Sequence, residues 1–283
     1  MDKRKIEENI FVFAMRTATF LVIAVLFLIL ATVVVKGLPA LNMDMITKIP
    51  EGGFYLGKAG GVLNAILGSL YISVGAILLS LMVALPVVLY VNVYAKKGSK
   101  RAYFARFSFD VLWGIPSIVY GAFGFSLMLF LGLRASLLGG IITVAFLVLP
   151  IMCRAMDEVM RMVPSELLES AYSLGATKLE TAVHVVIRQT IPGILTAVMI
   201  SMGRGIGDAA SVIFTAGFTD HIPTSLFDPA ATLPLAIFFQ LGTPFPEVQD
   251  RAYASALILT VMILLISIAV RFFGRRLSKN VTK

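Results

Sequence analysis

Apolar and polar positions divide the chain into long hydrophobic runs separated by shorter charged or glycine-rich stretches. The first run, over 11–35, follows a charged N-terminal stretch and carries Arg16 near its start. It exceeds the roughly 7–15 residues of a signal-peptide core and lacks a small-residue cleavage site before Lys36, which predicts a retained transmembrane helix. Further runs predict spans over 63–94, 107–131, 137–152, 191–217 and 253–273. Pro86 is a predicted kink in the second span, and Trp113, Gly114 and Pro116 mark an interfacial anchor followed by a bend in the third. Two polar stretches, 36–61 and 218–250, read as external loops. The apolar middle of the second, 231–241, is too short to cross and fits a re-entrant or surface helix. The expected fold is an all-α polytopic membrane protein with six transmembrane helices. Residues 1–10 form a cytoplasmic N-terminal segment in this reading, and 11–283 a membrane domain with a cytoplasmic loop over 154–190.

The longest charge-bearing run, 164–192, interrupts this pattern. Pro164 and Ser165 suit a helix start, the serine oxygen being able to accept a free backbone N–H. Glu166 and Glu169 then fall in the expected first turn, where the helix dipole favours negative charge. Gly175 is a predicted C-terminal stop, and Thr177 with Glu180 reads as a capping box for a second helix. Leu167, Leu168, Ala171, Tyr172 and Leu174 give the first helix an apolar face. That face either packs on its own chain or docks a partner.

Composition fixes the class. A chain of 283 residues that is 58% hydrophobic and 14% charged has too little polar surface to cover a water-soluble globule. The single cysteine, Cys153, excludes an internal disulfide or a multi-cysteine metal site, and His184 and His221 lie too far apart in sequence to suggest a local metal site. No metal is expected. The net charge of +8 sorts by membrane side: Lys96, Lys97, Lys100, Arg101 and Arg106 follow the second span, and Arg154, Arg161, Lys178 and Arg188 fall in the loop after the fourth. Lys3, Arg4 and Lys5 precede the first span, and Arg271, Arg275, Arg276, Lys279 and Lys283 close the chain on the same side. Only Lys36, Lys48, Lys58, Arg134 and Arg251 face the other way. The positive-inside rule thus puts both termini in the cytoplasm and accounts for the basic balance without nucleic acid.

Arg204 and Asp208 stand four residues apart in the predicted fifth span, among Ser201, Gly203, Gly205 and Gly207. A charge at bilayer depth costs roughly 2.5–3.5 kcal/mol even on a lenient scale, so both should face a partner or water. One reading is an ion pair that fixes helix orientation. The other is an arginine that offers its donor fork to an oxyanion in a pore, with Asp208 holding it. Arg154, near Asp157 and Glu158, is a weaker candidate whose alternative is an ordinary cytoplasmic flank. The chain contains no P-loop, His-Glu-x-x-His or Gly-x-Ser-x-Gly motif, so no enzymatic constellation is expected.

The 164–192 run resembles the cytoplasmic signature of ABC-importer permeases, Glu-Ala-Ala, three residues, Gly, nine residues, Ile-x-Leu-Pro. Glu169, Ala171 and Gly175 match, Ser170 takes the second place, and Val185, Val186, Ile187 and Arg188 stand in the closing positions. The terminal proline is thereby replaced, although Pro192 follows four residues later. Across its length the chain is similar to phosphate-importer permeases of the PstA type, through 60–68, 114–117, 150–154, 204–209 and 231–235. That family has Glu where this chain has Asp208.

The resemblance implies a type I ABC-importer permease fold in a prokaryotic plasma (inner) membrane, surrounded by lipid. It implies a non-catalytic subunit that pairs with a second, homologous permease. An extracytoplasmic phosphate-binding protein would deliver the ion, and two ATP-binding subunits would hold ATP and Mg, leaving this chain without a cofactor. The family's substrate path maps onto Arg204, Asp208 and Arg154. ATPase coupling maps onto Glu166, Leu167, Leu168, Glu169, Ser170, Ala171, Tyr172 and Gly175. From the residues alone, a permease for sulfate or molybdate, or an ATP-independent channel or secondary carrier, stays open.

Overall fold

A computed structural model describes residues 3–51, 59–96 and 98–277. Lys58, Lys97, Lys279 and Lys283 of the charge analysis lie outside the described residues. The chain opens with α1 (Lys3–Gly37) and α2 (Met43–Thr47), then a minimal antiparallel pair, β1 (Pro50–Glu51) and β2 (Ala59–Gly60). Next come α3 (Leu63–Leu89), widening into a π turn over Tyr90–Tyr94, then α4 (Lys100–Trp113), α5 (Ser117–Phe130) and α6 (Leu137–Arg161). After α7 (Ser165–Ser173), α8 (Lys178–Glu180) passes through a second π turn, Thr181–Ile187, into α9 (Arg188–Ile206). The last elements are α10 (Leu233–Leu241) and α11 (Pro246–Leu277). Among the described residues, 5 helices are long and apolar enough to cross a membrane, or up to 6 if the bent pair α4 and α5 counts as one span.

Four predicted spans differ in detail, the sixth because its helix already begins at Pro246, inside the stretch read as external loop. The third is two helices meeting at 101°, because Pro116 lacks an N–H and disfavours helical backbone at Ile115. The fourth continues past Met152 to Arg161, since Cys153, Met156, Asp157 and Met160 keep one face of the extra turns buried. The fifth stops at Ile206, and 207–217 is a series of turns. There the Asp208 carboxylate takes the Ser211 N–H at 2.8 Å, a local bond that competes with helix continuation.

Irregular backbone at membrane depth has to be buried in protein, and this stretch is. Ser211, Val212, Thr215 and Ala216 are buried. Gly121 of α5 lies against the carbonyls of Ala210 and Ser211, and Gly139 of α6 against that of Thr215, where a Cβ would intrude. The first N–H groups of α6 are satisfied by the same outer segment: Ser136 donates to Thr215, Leu137 to Asp228 and Leu138 to Leu226, at 2.9, 2.7 and 2.8 Å.

The core lies where α3, α6 and α9 pack, around Ile72, Ala76, Val144, Val148, Met152 and Ala197. Apolar packing in lipid gains contact rather than water release, so close approach at small residues sets the geometry. Gly205 of α9 meets Val144 and Val148, while Gly193 meets Val159, which fixes α6 and α9 antiparallel. The first half of the 231–241 segment is buried: Ala230 to Ala236 are all covered and Leu233 N–H donates to Ser69 Oγ at 2.8 Å, whereas Phe238 and Leu241 stay exposed. By contrast, the most apolar stretch of α1 is uncovered along its length, and α1 packs on α11.

Candidate functional site

Arg204 occupies the last turn of α9, about 20 Å along the helix from Ile191 at 1.5 Å per residue. Asp208 falls just past the helix end, with Gly207 as the C-cap, so the two are not on one continuous helix as their spacing suggests. They still meet: Arg204 Nη2 is 3.3 Å from Asp208 Oδ1. The exposures differ sharply, 48% for the arginine side chain and 5% for the carboxylate. Asp208 therefore sits in the protein, shared between the guanidinium and the Ser211 N–H, and presents Arg204 outward. The three glycines divide their roles. A Cβ at Gly203 would meet nothing within 4 Å, and one at Gly207 only the Gly203 carbonyl at 3.5 Å, whereas Gly205 is packed on α6. Two hydroxyls nearby in sequence, Ser201 Oγ and Ser211 Oγ, are buried without a hydrogen-bond partner in the structure.

Arg154 lies inside α6 and one-quarter exposed, its Nε 3.5 Å from Asp110 of α4 and 3.3 Å from Glu158 one turn on. It does not join the Arg204–Asp208 pair. With Val148 level with Gly205 and the helices antiparallel, the two arginines are offset by roughly 7–8 Å along the α6–α9 seam. A guanidinium with donors beyond its ion pairs suits an oxyanion, and here two such groups stand apart rather than in one cage.

The 164–192 run folds as a projecting helix and a turn back. Pro164, not Ser165, is the N-cap of α7, and Ser165 makes no capping bond. Glu166 lies in the first turn as expected, but Glu169 does not: with the helix starting at Ser165 it falls one turn later. Gly175 has φ +85°, and Ala176 N–H reaches the Ala171 carbonyl at 3.1 Å while Gly175 N–H reaches that of Tyr172 at 3.0 Å. This is a Schellman ending, which needs the left-handed residue that glycine supplies. The capping box forms as expected: Thr177 N–H donates to Glu180 Oε2 at 2.8 Å, and Glu180 N–H to Thr177 Oγ1 at 3.3 Å.

No residue of α7 is buried. Leu167, Leu168 and Ala171 are partly covered, with Leu168 against the core, while Glu166, Glu169, Ser170 and Tyr172 are exposed. Around them Met162, Leu174 and Leu179 are 79%, 89% and 63% exposed. These three apolar side chains flank α7 on either side and leave an open apolar rim, the kind of patch that suits contact with another macromolecule.

Sequence reasoning missed a polar cluster at the same end of the bundle. Arg106 of α4 clasps Asp157 of α6, with Nε to Oδ2 at 2.8 Å and Nη2 to Oδ1 at 3.0 Å. Asn92 of the π turn donates to Asp157 Oδ1 at 2.8 Å and accepts from Arg106 Nη2 at 3.2 Å. The only sequence signal was an acid at a position that α6 would bury.

A family model for binding-protein-dependent transport system inner membrane components matches residues 89–283. The chain belongs to this family. Within it, the chain is 34% identical over 241 residues to the phosphate transport system permease protein PstA of Xylella fastidiosa (strain Temecula1 / ATCC 700964), covering 85% of this chain and 83% of that protein. It is 32% identical over 280 residues to the PstA protein of Mycobacterium leprae (strain TN), covering 97% and 91%. A bacterial alginate ABC transporter in complex with its pentasaccharide-bound periplasmic protein superposes with TM-score 0.67 at 15% identity, covering 99% of both chains. The MetNI methionine ABC transporter, in an inward-facing conformation, gives 0.64 at 16%, covering 77% of this chain and 96% of that one. These likenesses establish the type I importer permease fold. As a transport-system membrane component, the family member is a permease and not a catalyst.

Proposed function

We propose that the chain is the phosphate-conducting permease subunit of an ATP-driven importer. The observation that carries this reading is Arg204: a half-exposed guanidinium held by a buried carboxylate, beside two glycines that leave open space. Phosphate carries roughly one to two negative charges near neutral pH, and a guanidinium fork fits two of its oxygens. A single partly paired arginine lowers the desolvation penalty without trapping the ion, as passage requires. The names of relatives matched over most of their length, phosphate transport system permease proteins, support the same substrate.

The partners follow. A binding protein delivers phosphate to the outer segment, a second homologous permease completes the path, and two ATP-binding subunits receive α7. ATP and Mg stay with those subunits. Both termini and α7 lie in the cytoplasm, as the distribution of basic residues requires. Transport then needs two arrangements of the spans, with nucleotide binding preferentially to one.

Uptake of radiolabelled phosphate into vesicles holding the full complex, with competing phosphate, sulfate or molybdate, tests the reading. Competition by phosphate alone, dependent on ATP and lost in Arg204→Gln with assembly intact, is expected. Equal competition by sulfate, or uptake that persists without the ATPase and follows the proton gradient, overturns it.

A further inference from the structure

A cleft of about 880 Å³ opens at the basic end of the bundle, between the end of α3, the start of α4, the end of α6 and the start of α7. Lys96, Lys100, Arg106 and Arg161 line it with Ser99 and Ser165, and no carboxylate is among its lining residues. Lys96, Lys100 and Arg161 form no ion pair among the described residues. The positive-inside rule explains why cations sit on this side, but not why Lys96, Lys100 and Arg161, none of them in an ion pair among the described residues, share one concavity with Arg106, whose own charge is met by Asp157.

Arg106 gives the cleft a fixed element. Its Nε and Nη2 are committed to Asp157 and Asn92, which lock the guanidinium plane, while Nη1 makes no hydrogen bond among the described residues. A preorganised donor pair with flexible lysine and arginine ammonium and guanidinium groups around it suits a tetrahedral oxyanion. Two helices also begin here, and the start of α7 has no side-chain cap. Their first N–H groups add to the positive potential.

We infer that this cleft binds a phosphate group, seated between Arg106 Nη1, Lys100 and Arg161. The site is separate from the Arg204 path and does not rest on the transport reading. Two sources share the chemistry: inorganic phosphate in the cytoplasm, and the headgroup of an anionic phospholipid in the adjoining leaflet. Because α7 forms one wall, an occupied cleft would bear directly on the helix that meets the ATPases.

The test uses the full chain in phosphatidylcholine nanodiscs, titrated with inorganic phosphate in one arm and doped with spin-labelled phosphatidylglycerol in the other. Saturable binding in one arm names the source. Lys100→Gln with Arg161→Gln is expected to weaken it roughly tenfold, each single change by about threefold, while Lys48→Gln with Arg134→Gln, an equal charge loss at the other end, has no effect. Both residues are exposed, so the variants keep the fold, which thermal unfolding checks. Absence of binding in both arms, unchanged binding in the single and double variants, or an equal loss in the control pair overturns the inference.

Discussion

Arg106 holds the wholly buried carboxylate of Asp157 with two nitrogens at 2.8 and 3.0 Å, joining α4 to α6 across 51 residues of sequence. Asn92 adds the π turn that ends α3, so three elements meet on one acid. Asn92 and Arg106 also line the basic cleft, whose walls include the start of α7.

Removing one partner of a buried pair leaves the other charge without compensation. Asp157→Ala should therefore lower stability by about 3–5 kcal/mol, and Arg106→Met should cost a similar amount. Combining Arg106→Met with Asp157→Leu should recover much of the loss, since an apolar pair has no charge to strand. Denaturant unfolding in detergent measures this. Losses below about 1 kcal/mol would mean that water already reaches the carboxylate.

Arg204 and Asp208 should separate function from fold. Arg204→Gln keeps an amide donor near the buried Asp208 carboxylate, which also retains the Ser211 N–H, so stability should fall by no more than about 1–3 kcal/mol while phosphate uptake falls. Asp208→Ala removes a buried acceptor from the Ser211 N–H and should cost about 1–3 kcal/mol. Unfolding of Arg204→Gln would instead make the pair a structural tie.

The spans were legible because hydropathy at bilayer length leaves few alternatives, and the Thr177–Glu180 box because its bonds are local. The bend at Pro116 was visible as a bend but not as 101°, since proline breaks the helix and tertiary packing sets the angle. The end of α9 at Ile206 was hidden: 207–217 is apolar enough to continue a span, and only burial against Gly121 and Gly139 lets it unwind. The Asn92–Arg106–Asp157 clasp was invisible for a different reason. Its members are 65, 51 and 14 residues apart, and sequence offered only a basic cluster and an acid.

Two glycines should destabilise for different reasons when substituted, one locally and one globally. Gly175 has φ +85° and open space where a Cβ would stand, so Gly175→Ala should cost about 1–2 kcal/mol of local backbone strain and loosen the end of α7. Gly193 has ordinary backbone but faces Val159, and Gly193→Ala should cost about 1–3 kcal/mol by wedging α6 from α9. Global unfolding should register Gly193→Ala fully. Gly175→Ala should appear chiefly as faster amide exchange in 171–176.

The exposed rim beside α7 should matter only in the assembled importer. Leu174→Asp and Leu179→Asp place charge on side chains that are 89% and 63% exposed, so the isolated chain should keep its stability within about 0.5 kcal/mol. Co-purification with the ATPases and ATP-coupled uptake should fall together. Intact coupling in the double variant would remove the rim from the ATPase contact.

The outer segment carries a pH-dependent tie. The Asp228 carboxylate accepts the Thr224 N–H at 2.9 Å, its hydroxyl at 3.0 Å and the Ser225 N–H at 2.8 Å, and these bonds hold its pKa below the ordinary 3.8. A carboxylate with a lowered folded pKa contributes its full ordering above the unfolded value and loses it as pH falls through the folded value. The Asp228 carbonyl also accepts the Leu137 N–H at 2.7 Å, so release of the turn should loosen the start of α6. Amide exchange at Thr224, Ser225 and Leu137, corrected for intrinsic rates, should accelerate as pH falls below the ordinary carboxylate range and stay level from about pH 5 to about pH 7. Asp228→Asn, which keeps an acceptor but cannot titrate, should flatten the acid limb. An acid limb that persists in Asp228→Asn would assign the transition to another group.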